Sequence, residues 1–286
     1  MRAKGFAAVE LPSVGERTLD RFLLGEDAPD LRDDRARLTV TDLTAAAHED
    51  YFRGRYREGL RNYARALTLD REQVSAWAGQ VRILVDVGQY GPAAYWAEKG
   101  RDRFTDSIAM TCAHAYALAC AGRVAEARDM INVPVSRDET SLDWLLRGEV
   151  LLRMKTSFVQ RLFAPHKRIG RMGAFFCFVK ALASSQNDAF INQRIGIAYL
   201  LAADDKRARV HLEASLSLVP DNPLTLYGIA ACCRMVRDYE DVLYYVKRAI
   251  AGNPELDCAF ELLQWLHRPS TKFLRIFSRK KRKEHS

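Results

Sequence analysis

The stretch Gly54-Arg55-Tyr56-Arg57-Glu58-Gly59-Leu60-Arg61-Asn62-Tyr63-Ala64-Arg65-Ala66-Leu67-Thr68-Leu69-Asp70 returns in outline along most of the chain. Gly54 is followed by Gly88 and Gly122, each 34 residues on, and Pro220 and Pro254 keep the same interval farther along. Within each period, apolar residues recur at i, i+3/4 and i+7, as in Trp77, Val81, Leu84 and Val87, which is the spacing of one face of an α-helix. The helices come in pairs. A pair that cannot bury its own apolar face must stack on the next, so the pattern predicts an all-α solenoid.

The 34-residue helix-turn-helix period resembles the tetratricopeptide-repeat (TPR) family over about residues 40 to 256. In the first unit, Gly59, Tyr63 and Ala66 stand at the family's small, large and small positions of the second helix; the second unit supplies Trp77, Gly88, Tyr90 and Ala93. The third has Ala115, Gly122 and Ala127, but Pro134 must stop its second helix early, because proline removes a donor and clashes with the preceding turn. The fourth opens with Trp144, Gly148 and Leu151, and its second helix resumes late, at Ala174, Phe178 and Ala181, which places an insertion within Lys155 to Met172. The fifth (Gly196, Tyr199, Ala208, Leu212, Ser215, Pro220) and sixth (Tyr239, Val242, Val246, Ala249, Pro254) keep one phase.

The implied architecture is a right-handed α-solenoid of about six TPR units over residues 39–256. An N-terminal extension precedes it (1–38), in which Ser13 and Glu16 form a capping box before a short helix bearing Leu19, Phe22 and Leu23. A helix through Phe260, Leu263 and Leu266 (257–268) covers the last apolar face, and a basic tail (269–286) follows.

Charge is informative once it is located. Residues 267 to 286 hold 8 Lys/Arg and 1 Asp/Glu, leaving 36 basic and 35 acidic side chains for the rest of the chain. The basic balance therefore belongs to the tail, and no basic groove along the whole fold is indicated. The six cysteines lie inside apolar helical patterns without Cys-x-x-Cys or a His at ligand spacing, the pattern of reduced thiols in a cytoplasmic protein. Glu10 and Pro12 arrive before any apolar run of signal-peptide length, and Lys180 breaks the longest apolar candidate, Gly173 to Ala183, so neither classical export nor a membrane span is expected.

No catalytic set, metal site or cofactor motif is present: the histidines at 48, 114, 166, 211, 267 and 285 are scattered, and there is no His-Glu-x-x-His, Gly-x-Ser-x-Gly or phosphate-binding loop. The small and aromatic repeat residues are packing positions by their chemistry. In proteins similar to this one, the first helices of successive units line a concave groove that takes a peptide or helix of a partner protein. That resemblance places His48, Tyr51, Arg82, Tyr116, Glu149, Gln193, Arg194, Tyr227 and Arg234 on the concave face. Tyr and Arg are the residue types of binding hot spots, although the same side chains also serve simply to cover helix faces. The TPR subtype that grips a chaperone's C-terminal carboxylate with Lys and Asn is not matched, because Thr44, His48, Gly79 and Ala113 occupy those positions.

Two further places invite a partner. The insertion carries Lys155, Arg161, Lys167, Arg168 and Arg171 beside Phe158, Leu162 and Phe163, and is either a tolerated loop or a contact surface. The tail sets Phe273, Leu274, Ile276 and Phe277 among Lys272, Arg275, Arg279, Lys280, Lys281, Arg282 and Lys283. Such a run suits an anionic membrane surface or nucleic-acid phosphates, or it only solubilises the chain.

Overall fold

A computed structural model describes residues 15–25, 38–131, 140–153, 167–185 and 188–268, with the side chains of 15–18 and 167–172 left aside. The described residues are all helix, turn and loop. A short helix, α1 (Gly15–Leu23), precedes six pairs. The pairs are α2 (Val40–Phe52) with α3 (Tyr56–Leu69), α4 (Val74–Asp86) with α5 (Tyr90–Arg103), and α6 (Ile108–Cys120) with α7 (Val124–Ile131). They continue as α8 (Ser141–Arg153) with α9 (Lys167–Ser185), α10 (Ala189–Leu201) with α11 (Asp205–Leu218), and α12 (Pro223–Met235) with α13 (Tyr239–Gly252); α14 (Asp257–His267) stands last. The protein is an α-solenoid.

Local chemistry explains where the helices begin. Thr39 and Asp42 make a reciprocal capping box at α2, and Ser107, Asp188, Asp204, Asn222 and Asp238 each accept a backbone N–H at the start of their helices. Pro223 sits in the first turn of α12, where its missing N–H costs nothing.

Packing follows the small-large pattern. A Cβ on Gly79 would collide with the Tyr63 ring and one on Gly148 with the Phe178 ring, so these positions let first and second helices close on an aromatic wedge. Ala66, Ala93, Ala127, Ala208 and Ala249 are fully buried at the equivalent crossings. Trp77 stacks on Trp96 at 4.1 Å, and the Trp96 indole donates to Gln80, whose amide donates in turn to the Leu23 carbonyl of α1. Leu19 and Leu23 are buried as α1 lies on α3, and Asp20 pairs with Lys99 of α5.

The third unit's second helix, α7, has 8 residues where α3, α5, α11 and α13 have 14. Pro134 lies outside the described residues. The fourth unit departs from the expected boundaries: α9 starts at Lys167, inside the stretch assigned to the insertion, and runs for 19 residues. Residues 167–172 are therefore an extension of the second helix, since nothing there but Gly170 disfavours one. Residues 154–166 lie outside the described set.

Candidate functional site

The first helices α2, α4, α6, α8 and α10 converge on one side of the solenoid, and their side chains meet there. His48, Arg82, Tyr116 and Glu149 are each the ninth residue of their helices, so the repeat stacks them in one row. One turn farther along α4 stands Asp86, and α10 brings Arg194. The result is a sealed polar network rather than an open groove.

Arg194 donates from Nη1 to Asp86 Oδ2 at 2.5 Å and from Nε to Glu149 Oε1 at 3.2 Å; its Nη2 reaches the Tyr116 hydroxyl at 3.4 Å. Tyr51 donates its hydroxyl to Asp86 at 2.9 Å. The same Tyr51 ring lies between two guanidinium groups, with Arg194 at 5.2 Å and Arg82 at 5.7 Å from its centroid. Arg82 reaches Glu149 at 3.5 Å and also faces the Phe190 ring at 5.6 Å. Arg153, half-buried, donates to the Tyr116 hydroxyl at 3.2 Å.

Burial sets the electrostatics. It works against the charge on Arg194, but Asp86, Tyr51 and Glu149 outweigh it and hold the guanidinium firmly protonated. Burial pushes the hydroxyls of Tyr51 and Tyr116 far above the ordinary phenol range, and the Cys120 thiol up to about 12. None of these groups is prepared to give or take a proton near neutrality. Among the described residues, no cluster of three or more His, Cys, Asp or Glu is placed to hold a metal ion.

What seals the network is the end of α2. The Phe52 carbonyl accepts from Gln193 Nε2 and from Asn222 Nδ2, each at 3.0 Å. The Gly54 carbonyl accepts from Asn253 Nδ2 at 3.1 Å, across 199 residues of sequence. Carbonyls at a helix C-terminus have no partner within the helix, and here three amide side chains from the fifth and sixth units supply one. The Phe190 ring of α10 packs on His48, Tyr51 and Phe52 at 4.4, 5.7 and 6.1 Å between centroids. Gly54 turns the chain with φ +77°, and a Cβ there would lie 3.2 Å from Leu256 and 3.5 Å from Leu224 Cβ.

These contacts correct the expectation of an open concave groove. Tyr51, Arg82, Tyr116, Glu149, Gln193 and Arg194 are brought together, but each is no more than 2% exposed, because the first unit folds onto the fifth and sixth. Three of the nine stand apart. His48 is exposed at the edge against Phe190, Tyr227 is half-buried, and Arg234 is exposed and lies 5.5 Å from the Trp265 ring centroid. In the insertion, Arg161 lies outside the described residues, and Lys167, Arg168 and Arg171 are known only as helix positions of α9. The tail residues Lys272, Arg275, Arg279, Lys280, Lys281, Arg282 and Lys283 also lie outside the described set.

Sequence reasoning missed Asp86, Phe190, Asn222 and Asn253. The two asparagines had a signal: each directly precedes a proline, in Asn222-Pro223 and Asn253-Pro254, where the side chain is free to bond another segment's backbone. Asp86 and Phe190 look like ordinary helix-end residues, and nothing local marks their long-range partners.

No family model and no curated protein matches the sequence. Among solved structures similar to this chain, two are described as tetratricopeptide-repeat (TPR) proteins. TTC0263, a thermophilic TPR protein of Thermus thermophilus, is 15% identical, with 80% of this chain and 99% of that one covered and a TM-score of 0.44. PilW, described as a widely conserved type IV pilus biogenesis factor, is 16% identical over 80% of this chain and 100% of its own, with a TM-score of 0.43. The P58(IPK) TPR domain is 17% identical over 85% of this chain and 67% of that one, with a TM-score of 0.32.

Proposed function

We propose that this chain is a non-catalytic protein–protein interaction module, an adaptor or scaffold in the cytoplasm, that receives a helix or extended peptide of a partner protein on the concave side of its solenoid. One observation carries the proposal: the side on which the first helices converge already holds a helix end. The terminal carbonyls of α2 are gripped by Gln193, Asn222 and Asn253, and its aromatic residues by Phe190, so the surface has the donors and apolar contacts that a helix terminus needs. Cross-linking the chain to its partner in extracts of the native host, with the linked residues mapped, tests the proposal. Links at His48, Tyr227 and Arg234, the three groove positions that stay outside the sealed network, are expected; links confined to the outer faces of α3, α5 and α11 would defeat it.

A second reading is favoured by the charge of residues 267–286: recruitment through the tail to an anionic membrane surface or to nucleic acid. No described helix is long and apolar enough to cross a membrane. Binding to vesicles of anionic lipid and to RNA is expected to weaken in high salt and to vanish on removal of 269–286. Binding that survives the truncation would count against the tail.

A further inference from the structure

We propose that the end of α2 is an internal occupant of the partner site: it closes the solenoid by taking the place of a partner helix, and the partner must displace it. The inference rests on the concave reading above and adds to it a competitor and a kind of ligand. The ligand is a helix C-terminus that presents free backbone carbonyls and an aromatic side chain, because those are the features the site grips in its own chain.

Three observations support exchange over a permanent seam. The clasp is made across the solenoid between units far apart in sequence, separated by 141, 170 and 199 residues, and not between stacked neighbours. It is also compact: the Phe52 and Gly54 carbonyls, the Phe52 and Tyr51 rings, and the contacts of Gly54 with Leu224 and Leu256 all fall within one turn of chain. Finally, the closed form leaves a buried guanidinium incompletely met. Arg82 is 2% exposed and is met by Tyr51 of α2 and by Glu149, yet its Nε and Nη1 find no acceptor in strict hydrogen-bonding geometry among the described residues, and Glu149 is shared with Arg194. Three guanidinium groups, Arg82, Arg153 and Arg194, face two carboxylates, Asp86 and Glu149. Buried donors of this kind are ordinarily satisfied, so the closed form beside the α2 end is not fully satisfied.

The clasp can be locked. The 3.5 Å between an added Cβ at position 54 and Leu224 Cβ is disulfide spacing, so the full chain carrying Gly54→Cys and Leu224→Cys holds α2 in place when oxidised and releases it when reduced. The probe is a fluorescent peptide of residues 40–56, the occupant itself supplied in trans. Reduced protein is expected to bind it at least about tenfold more tightly than oxidised protein, because locking removes the competent open population. Equal binding in the two redox states, no binding in either, or dimerisation of the reduced chain in place of peptide binding overturns the proposal. If the double variant does not fold, Phe52→Ala in the full chain replaces it: it weakens the internal occupant at its Phe190 contact but leaves Gln193, Asn222 and Asn253 to grip the wild-type peptide, so it must bind that peptide more tightly than the wild-type chain does. The host cross-link map decides the concave reading separately: a partner linked at His48, Tyr227 or Arg234 but captured equally by locked and unlocked protein sinks the displacement step alone.

Discussion

Arg194 and Asp86 form a salt bridge of 2.5 Å between the fifth unit and the second, with both side chains 1% exposed. An ion pair so buried is sustained by its remaining hydrogen bonds, here from Tyr51 to Asp86 and from Arg194 to Glu149 and Tyr116. Removing one member leaves the other charged and dry. Arg194→Met should therefore cost about 3–5 kcal/mol in urea unfolding, and Asp86→Leu a similar amount. The double variant should be less damaged than the two single losses added together, because the orphaned charge is gone. Full additivity would mean that the two residues do not act as a pair.

Asn253 tests the clasp by stability alone. Its side-chain amide donates to the Gly54 carbonyl, and its Oδ1 accepts from the Glu255 N–H. Asn253→Ala leaves a buried carbonyl unpaired, with an expected loss of about 1–3 kcal/mol. Hydrogen exchange should quicken in α2 and α12 together, whereas faster exchange near residue 253 alone would reduce its role to a local turn.

Overpacking should be sharply localised. The Cβ of Gly148→Ala would enter the Phe178 ring, so a loss of about 1–3 kcal/mol is expected. Gly91, with open space around it, should accept alanine with almost no change. Thermal melting of the two variants side by side gives the comparison.

Acid should weaken the fold through His114, which is 5% exposed and whose Nδ1 has no hydrogen-bond partner among the described residues. Burial first, and then Arg101, depress its pKa below the ordinary 6.5. The unfolded chain therefore binds the proton more readily, and stability is complete above about pH 6.5 and is lost as pH falls toward the folded-state value. His114→Phe should flatten that part of the stability–pH curve, and an unchanged slope would exclude the residue.

The thiols should be inert in the native state. Burial pushes Cys232 up to about 12 and Cys233 up to about 11, which leaves little thiolate at pH 8. Labelling with a thiol reagent should be slow until denaturant is added, when all six cysteines react. Rapid native labelling of either residue would contradict that environment.

The repeat was legible in the sequence because it is set by short-range rules. A 34-residue interval, small residues at helix crossings and aromatic wedges such as Tyr63 and Trp77 each act within one unit or between neighbours, so they leave a local pattern. The start of α9 at Lys167 was not legible, because a change from loop to helix there needs no breaker residue to mark it. The concave residues were identified by position but not by state. Tyr51 and Arg82 occupy the groove positions of a stacked repeat, and whether such a groove is open depends on how the small rotations between units add up. That sum brings Phe52 to Gln193 and Gly54 to Asn253, residues that no spacing rule connects. By itself, then, the sequence determined the helices, their pairing and the solenoid, through contacts close along the chain. Only the tertiary structure decided that the solenoid closes on its own first unit, because closure is the accumulated geometry of six pairs.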